Sequence, residues 1–207
     1  MKVVAILGSP RKNGNTAHAL RIIGDELIKE GIEFEIIHIG NKNIRGCLAC
    51  KQCAVNKNGE CIIKDETNTT IAKMAESDGI ILSSPVYFSG IAGTMKSFLD
   101  RAFYVSSSNG SMFRGKVAAA ITAVRRSGGS HTLDGLNHYI TYGEMIVATS
   151  TYWNIAHGRD EGEVLKDDEA VQTMQMLGRN MAWLLKMKEQ ANIPQPEKVD
   201  KIFTKFL

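Results

Sequence analysis

Cys47, Cys50, Cys53 and Cys61 are the only thiols in a chain of 207 residues, and they fall within fifteen consecutive positions as C-x2-C-x2-C-x7-C. Independent scatter would put four cysteines in such a window about once in a thousand chains. Four thiolates are the ligand set of an iron–sulfur cluster, and consecutive two-residue gaps let three of them converge on one small object. The bacterial ferredoxin run C-x2-C-x2-C-x3-C-P lends its last cysteine to a second cluster. Here Cys61 follows a longer gap and precedes Ile62, so closure of the same [4Fe–4S] cluster is the expectation. Asn58-Gly59, a pair suited to positive φ, can turn the chain back towards the first three thiols.

Two other chemistries use such a set. Zinc takes four thiolates tetrahedrally, though usually from two well-separated C-x2-C knuckles, and redox-active or free thiols need no metal. A disulfide framework fits least. The chain is long enough to build its own core, and the apolar run Val3 to Leu7 of its opening MKVVAILGSPRKNG is too short for a secretory leader. Arg45, Lys51, Lys57 and Lys64 surround the cysteines against Glu60 and Asp65. Cations there would ease reduction of a cluster and dock an acidic protein carrier; the plain alternative is a solvated loop.

Three further segments have the composition of cofactor loops. Gly8-Ser9-Pro10-Arg11-Lys12-Asn13-Gly14-Asn15-Thr16 joins an apolar run to a helical pattern, with small residues, donors and a helix start that together suit an anion. It lacks both the Gly-x-x-x-x-Gly-Lys-Ser/Thr and the Gly-x-Gly-x-x-Gly fingerprints, so a phosphate monoester is expected rather than a nucleoside triphosphate or a dinucleotide. Ser83-Ser84-Pro85-Val86-Tyr87-Phe88-Ser89-Gly90 offers a stiff turn with aromatics to border a flat ring and backbone amides to tune it. Val124-Arg125-Arg126-Ser127-Gly128-Gly129 offers paired cations that would favour negative charge on a reduced flavin. Each also reads as an ordinary connection. No histidine stands out as catalytic: His131 and His138 share a helix face, and His18, His38 and His157 are isolated.

The elements that must hold these segments alternate between short apolar runs and amphipathic stretches, the pattern of a parallel sheet covered by helices. Strands are predicted at Lys2 to Leu7, Glu33 to Ile39, Gly79 to Ser84, Lys116 to Ala123 and Met145 to Ser150. Helices are predicted at Asn15 to Glu30, Asp65 to Glu76, Gly93 to Tyr104, Gly129 to Tyr142 and Asp167 to Glu189. This is an α/β doubly wound five-stranded parallel sheet, whose ligands gather at the carboxyl ends of the strands. Residues 1–190 form the expected domain, with an insertion at 40–64 that is too long for an ordinary loop and carries the cysteines. Residues 191–207 form an expected helical extension, whose Val199, Ile202, Phe203, Phe206 and Leu207 share one face for packing on a second subunit or on the same domain. With 43% hydrophobic and 23% charged residues the composition is that of a globule, and a formal net charge of +3 does not point to nucleic acid. No apolar run nears the ~20 residues of a membrane span, so a soluble cytoplasmic protein is expected.

The chain resembles the flavodoxin-like NAD(P)H-dependent FMN reductase superfamily, and within it the iron–sulfur flavoproteins. The resemblance is carried by GSPRKNGNT at 8–16, GCLACKQC at 46–53 with Cys61, SSPVYFSG at 83–90 and RRSGG at 125–129, and spans residues 1 to about 190. It implies strand order 2-1-3-4-5. It also implies FMN at the sheet's rim, with Ser9, Arg11, Asn13, Asn15 and Thr16 about the phosphate and Pro85, Val86, Tyr87, Phe88, Ser89 and Gly90 about the ring. Val124, Arg125, Gly128 and Gly129 complete the third loop. A homodimer or homotetramer and electron supply from ferredoxin are further implications. Two other activities remain open: an NAD(P)H-dependent FMN, quinone or azo reductase with zinc or nothing at the cysteines, and a carrier with no small substrate. Residues 157–161 look like a family loop without an assignable chemistry.

Overall fold

The run Val3 to Leu7 is apolar at every position, and such a run is stable in a sheet only where both faces are covered. In the computed structural model, which describes residues 1–199, 202 and 204, it is fully enclosed. The strands are β1 (Lys2–Leu7), β2 (Glu33–His38), β3 (Gly79–Tyr87), β4 (Gly90–Ile91), β5 (Val117–Val124), β6 (Ile146–Val147) and β7 (Ile155–His157). The helices are α1 (Asn15–Lys29), α2 (Gln52–Asn56), α3 (Glu66–Glu76), α4 (Gly93–Ser108), α5 (Gly129–Tyr142) and α6 (Asp168–Ala191), with a single 3-10 turn at Glu163–Lys166. The main path through the sheet is β2-β1-β3-β5-β6, all parallel, and β4 adds an antiparallel hairpin to β3.

Alternation along the strands divides the core in two. Val3, Ala5 and Leu7 pack with α1 and α6, through Leu20, Ile23, Met174 and Leu177. Val4 and Ile6 pack on the other face with Ile71, Phe98, Leu99 and Leu136 of α3, α4 and α5. With strands parallel and helices on both faces, the loops after β1, β3 and β5 emerge at one rim, where doubly wound sheets hold ligands.

Three expectations differ from the structure. The predicted strand Met145 to Ser150 is cut to two residues, and a further, unpredicted strand lies beyond it. Ile146–Val147 pairs with the start of β5 and Ile155–His157 with its end, while the intervening residues loop away with Tyr152 and Trp153 exposed. Asn154 bridges the gap: its side-chain amide donates to the Ala120 carbonyl at 3.0 Å, and its own carbonyl accepts from the Thr122 N–H at 2.9 Å. β3 runs three residues beyond the predicted Ser84, through Pro85, because its last residues enter the hairpin with β4. No helix continues past α6 over residues 192–199: Asn192 adopts a left-handed conformation, and Pro194 and Pro196 lack the N–H a helix needs. Phe203, Phe206 and Leu207 lie outside the described residues.

Glu26 ties α1 to α6. Its buried carboxylate accepts from Arg179 at 2.7 Å and from Lys29 at 2.7 Å, and these bonds hold its pKa below the usual glutamate value. The stabilisation from this carboxylate is therefore fully present above the unfolded pKa of about 4.3 and lost as pH falls through the lower folded value. Urea melts taken between about pH 3 and 6 should show Glu26→Gln less stable than wild type at the upper end, with the gap closing on acidification.

Candidate functional site

The loops after β1, β3 and β5 meet the loop after β7 around one cleft. Its walls are Ser9, Arg11, Gly14, Asn15, Thr16, Pro85, Val86, Tyr87, Ala123, Arg125, Gly158 and Arg159. Three guanidinium groups and no carboxylate line it, so its field favours an anion. The first loop is pinned at both ends: the Gly8 N–H donates to the Ser83 carbonyl at 3.0 Å, and the Gly14 N–H to the Arg11 carbonyl at 3.2 Å. Ser9 is buried, its Oγ accepts the Arg11 N–H, and its carbonyl lies 2.8 Å from His38 Nε2. Gly40 is required behind it, since a Cβ there would sit 2.2 Å from the Ser9 carbonyl oxygen. No side chain caps the start of α1, which leaves its first N–H groups for an anion.

The second loop is a two-residue hairpin. Tyr87 pairs with Gly90 and Val86 with Ile91, and the turn residues Phe88 and Ser89 both have positive φ, 47° and 59°. Such turns ordinarily take Asn-Gly, so Phe-Ser here stores strain, as functional loops often do. The base is locked by Ser84, whose Oγ accepts the Ala92 N–H at 3.0 Å and donates to the Pro85 carbonyl at 2.7 Å. The third loop leans on this hairpin at Gly128, with φ 88°, where a Cβ would come 2.8 Å from Ser89 Cα.

The cysteines form a separate cleft against α4. Cys47, Cys50, Cys53 and Cys61 all line it, with Arg101, Tyr104 and Val105 on the helix side. Cys47 and Cys50 are exposed, Cys61 is half-buried and Cys53 is buried; burial and the nearby Cys61 and Cys47 push the Cys53 thiol up. The run is contorted: Ala49, Lys51 and Lys57 all have positive φ, and the Ala49 N–H points at Cys47 Sγ at 3.4 Å. Asn68 of α3 holds Cys61 by both backbone groups, accepting its N–H at 2.8 Å and donating to its carbonyl at 2.9 Å. Asn109, after α4, accepts the Gly59 N–H and donates to the Cys53 carbonyl. Arg101 lies wholly inside. Its Nε–H donates to Cys61 Sγ at 3.3 Å, and its other four N–H groups go to Asp65 Oδ1 and Oδ2 and to the carbonyls of Ile63 and Arg45. Burial opposes ionisation of Asp65, yet the bonds from Arg101 and Thr67 outweigh it and hold its pKa below the usual aspartate value.

Residues 1–160 match the family described as NADPH-dependent FMN reductase. An iron–sulfur flavoprotein of Methanocaldococcus jannaschii is 34% identical over 194 residues, covering 90% of this chain and 98% of the relative. An iron–sulfur flavoprotein of Methanosarcina thermophila is 32% identical over 152 residues, covering 71% and 76%. The fold is also that of the solved flavodoxin, WrbA-like protein from Agrobacterium tumefaciens, at TM-score 0.61 and 15% identity, over 90% of this chain and 98% of that one. The chain belongs to the NADPH-dependent FMN reductase family, and within it to the iron–sulfur flavoproteins. The protein is thus a flavin-dependent oxidoreductase whose cofactors are FMN and an iron–sulfur cluster.

The residues of this flavoprotein fit both groups. The rim cleft is cationic beside free helix N–H groups, as a phosphate needs. Among the described residues no three His, Cys, Asp or Glu side chains are gathered to hold a single metal ion, and all four thiols line one cleft, the donor set that a cluster with four thiolate ligands takes. Of the predicted flavin residues, Ser9, Arg11, Asn15, Thr16, Pro85, Val86, Tyr87 and Arg125 come together. Asn13 does not line the cleft, and its Oδ1 accepts from Arg21 at 2.8 Å. Phe88 is fully exposed at the hairpin tip, and Ser89 and Gly90 stand outside the cleft with it. Val124, Gly128 and Gly129 border a neighbouring cavity with Arg126, Tyr152 and Trp153. Asn15 bonds its own chain, donating to the Asp160 carbonyl and accepting from the Val164 N–H, and so ties the loop after β7 to the loop after β1. Arg159 and Arg101 went unpredicted. Arg101 had a signal, as a cation on the apolar stripe Phe98, Arg101, Ala102, Val105 at helical spacing. Gly128→Ala should destabilise this flavoprotein by at least about 1–2 kcal/mol, the left-handed penalty of a Cβ to which its clash with Ser89 adds, seen as a lower urea midpoint at unchanged slope.

Proposed function

We propose that this flavoprotein passes single electrons between a [4Fe–4S] cluster held by Cys47, Cys50, Cys53 and Cys61 and an FMN seated at the rim cleft, with ferredoxin or a similar small acidic carrier as donor. The observation that carries the reading is that all four cysteines line one cleft whose wall, α4, begins directly after the hairpin that borders the flavin cleft. Bound there, FMN supplies the conversion between one-electron and two-electron chemistry. Arg11, with Ser9, Thr16 and the first N–H groups of α1, grips the phosphate, and Asn15 keeps the loop after β7 closed over it. Pro85, Val86 and Tyr87 border the ring, and Arg125 favours negative charge near it. The hairpin tip Phe88-Ser89-Gly90 and the turn Val124, Gly128, Gly129 shape this wall from behind, while Asn13 fixes the loop through Arg21. Lys51 at the mouth of the cysteine cleft, with Arg45 and Lys57 exposed nearby, supplies the cationic surface an acidic carrier would meet. Lys64 is engaged by Glu60. A homodimer or homotetramer would cover Tyr142, Trp183 and Met187, which stand exposed on α5 and α6.

A second reading keeps NAD(P)H as donor. The cavity beside the flavin cleft, lined by the mutually tilted Tyr152 and Trp153 with Arg126, Ser130, Asp167 and Glu169, offers aromatic surface and a cation of the kind a nicotinamide nucleotide uses. Anaerobic purification followed by iron, sulfide, zinc and flavin analysis separates the cofactor readings. About four irons and four sulfides with one FMN per chain are expected. Zinc near one per chain without acid-labile sulfide would sink the cluster. Arg11→Ala should weaken FMN binding by about 1.5–3 kcal/mol in a fluorescence titration, and an unchanged affinity would show the phosphate to sit elsewhere.

A further inference from the structure

We infer that Arg101 is a positioning residue for the iron–sulfur centre, and that its Nε–H bond to Cys61 Sγ raises the reduction potential of that centre; the inference rests on the cluster reading above. Three observations point the same way. Among the described residues Arg101 is the largest side chain to be fully enclosed, so water screens its charge little. All five of its N–H donors have acceptors, which fixes the group in one orientation, with Nε–H left for the sulfur and no other donor free to substitute. Four of those acceptors, the Arg45 and Ile63 carbonyls and the two Asp65 oxygens, lie on the segments that enter and leave the cysteine run, so the same side chain sets where Cys61 stands relative to the other three.

Hydrogen bonds to cluster sulfurs and local charge are the levers by which a protein sets such a potential. Reduction adds one negative charge to the centre, and a cation at bonding distance in a weakly screened site favours the more negative state. Asp65 partly offsets that cation. Removing the cation and removing its counter-ion should therefore shift the potential in opposite directions.

The test is a redox titration of the anaerobically loaded protein, followed by electron paramagnetic resonance. Arg101→Gln should move the cluster midpoint to more negative values, and Arg101→Lys should shift it less, since it keeps the charge and loses the fork. Asp65→Asn, which keeps an N-cap on α3, should move it to more positive values. A readout on the wild type needs no variant: protein grown with 15N-arginine should show nitrogen hyperfine coupling to the reduced cluster. Variants that merely lose iron, with the remaining cluster at the wild-type midpoint, would reduce Arg101 to a structural prop and overturn the inference. A loaded wild type without arginine coupling would overturn it too and leave the cluster reading standing. Wild type without iron or sulfide would overturn both.

Discussion

A guanidinium withdrawn from water is tolerated only if each N–H finds an acceptor and a counter-charge stands beside it. Arg101 meets that condition by drawing in Asp65, two carbonyls and a cysteine sulfur, and the conformation of residues 45–65 follows from it. That stretch has one helix of its own, the five-residue α2, too short to stand unaided. Asn68 and Asn109 complete the frame, each bonding backbone groups of the insertion from a neighbouring helix. Three side chains on α3, on α4 and just past its end thus do for an irregular segment what a ladder does for a strand: they satisfy its backbone polar groups and leave its thiols facing one space. Positive φ at Ala49, Lys51 and Lys57 is tolerable because this frame over-determines the loop.

The rim cleft is built on the opposite principle. Its loops are short, tied to strand ends by backbone bonds, and its cations are exposed. Strain is concentrated in the Phe88-Ser89 turn, held by the β3–β4 pairing below and by Gly128 pressed against Ser89 from the side. Behind the first loop, the absence of a side chain at Gly40 and the bond from His38 bring Ser9 close to the sheet. Precision here comes from rigid neighbours, the arrangement that holds a bound group with little reorganisation.

How much of this was legible in the sequence depended on whether local pattern or distant partners decided the outcome. α5 begins and ends where its pattern places it, Gly129 to Tyr142, and β1 is recovered residue for residue, because apolar period and turn chemistry agree there. The strand order of the main path is the one that the family resemblance implies. The early end of the fifth strand was invisible because Ala148 to Ser150 carries no Gly, Pro, Asn or Asp, and what ends it is distant: Asn180 bonds the Thr149 carbonyl and Asn154 bonds Ala120. Within the site, residue types were read more reliably than their directions. Asn15 has a donor that suits a phosphate, yet it bonds the Asp160 carbonyl; Asn13 stands off the cleft with its Oδ1 accepting from Arg21; and Phe88 is turned outward by a hairpin no pattern announces. Arg101 is the instructive omission: a charge on an apolar helix face is a conflict between levels, and such conflicts mark functional or strained positions.

The two clefts differ most in how water reaches their cations, and that difference has an electrical consequence. Arg11, Arg125 and Arg159 are exposed at the rim, where ions of the medium screen fields over about 8–10 Å at ordinary ionic strength. Arg101 is enclosed, and its field acts on Cys61 through protein rather than solvent. Salt therefore weakens the attraction that the rim exerts on an anion, while it leaves the cation beside the thiols nearly untouched. Under the proposed assignment, with FMN at the rim and a cluster at the cysteines, Arg101 would supply a bias that salt hardly alters, while the rim cations, and Lys51 at the mouth of the cysteine cleft, would supply one that it does.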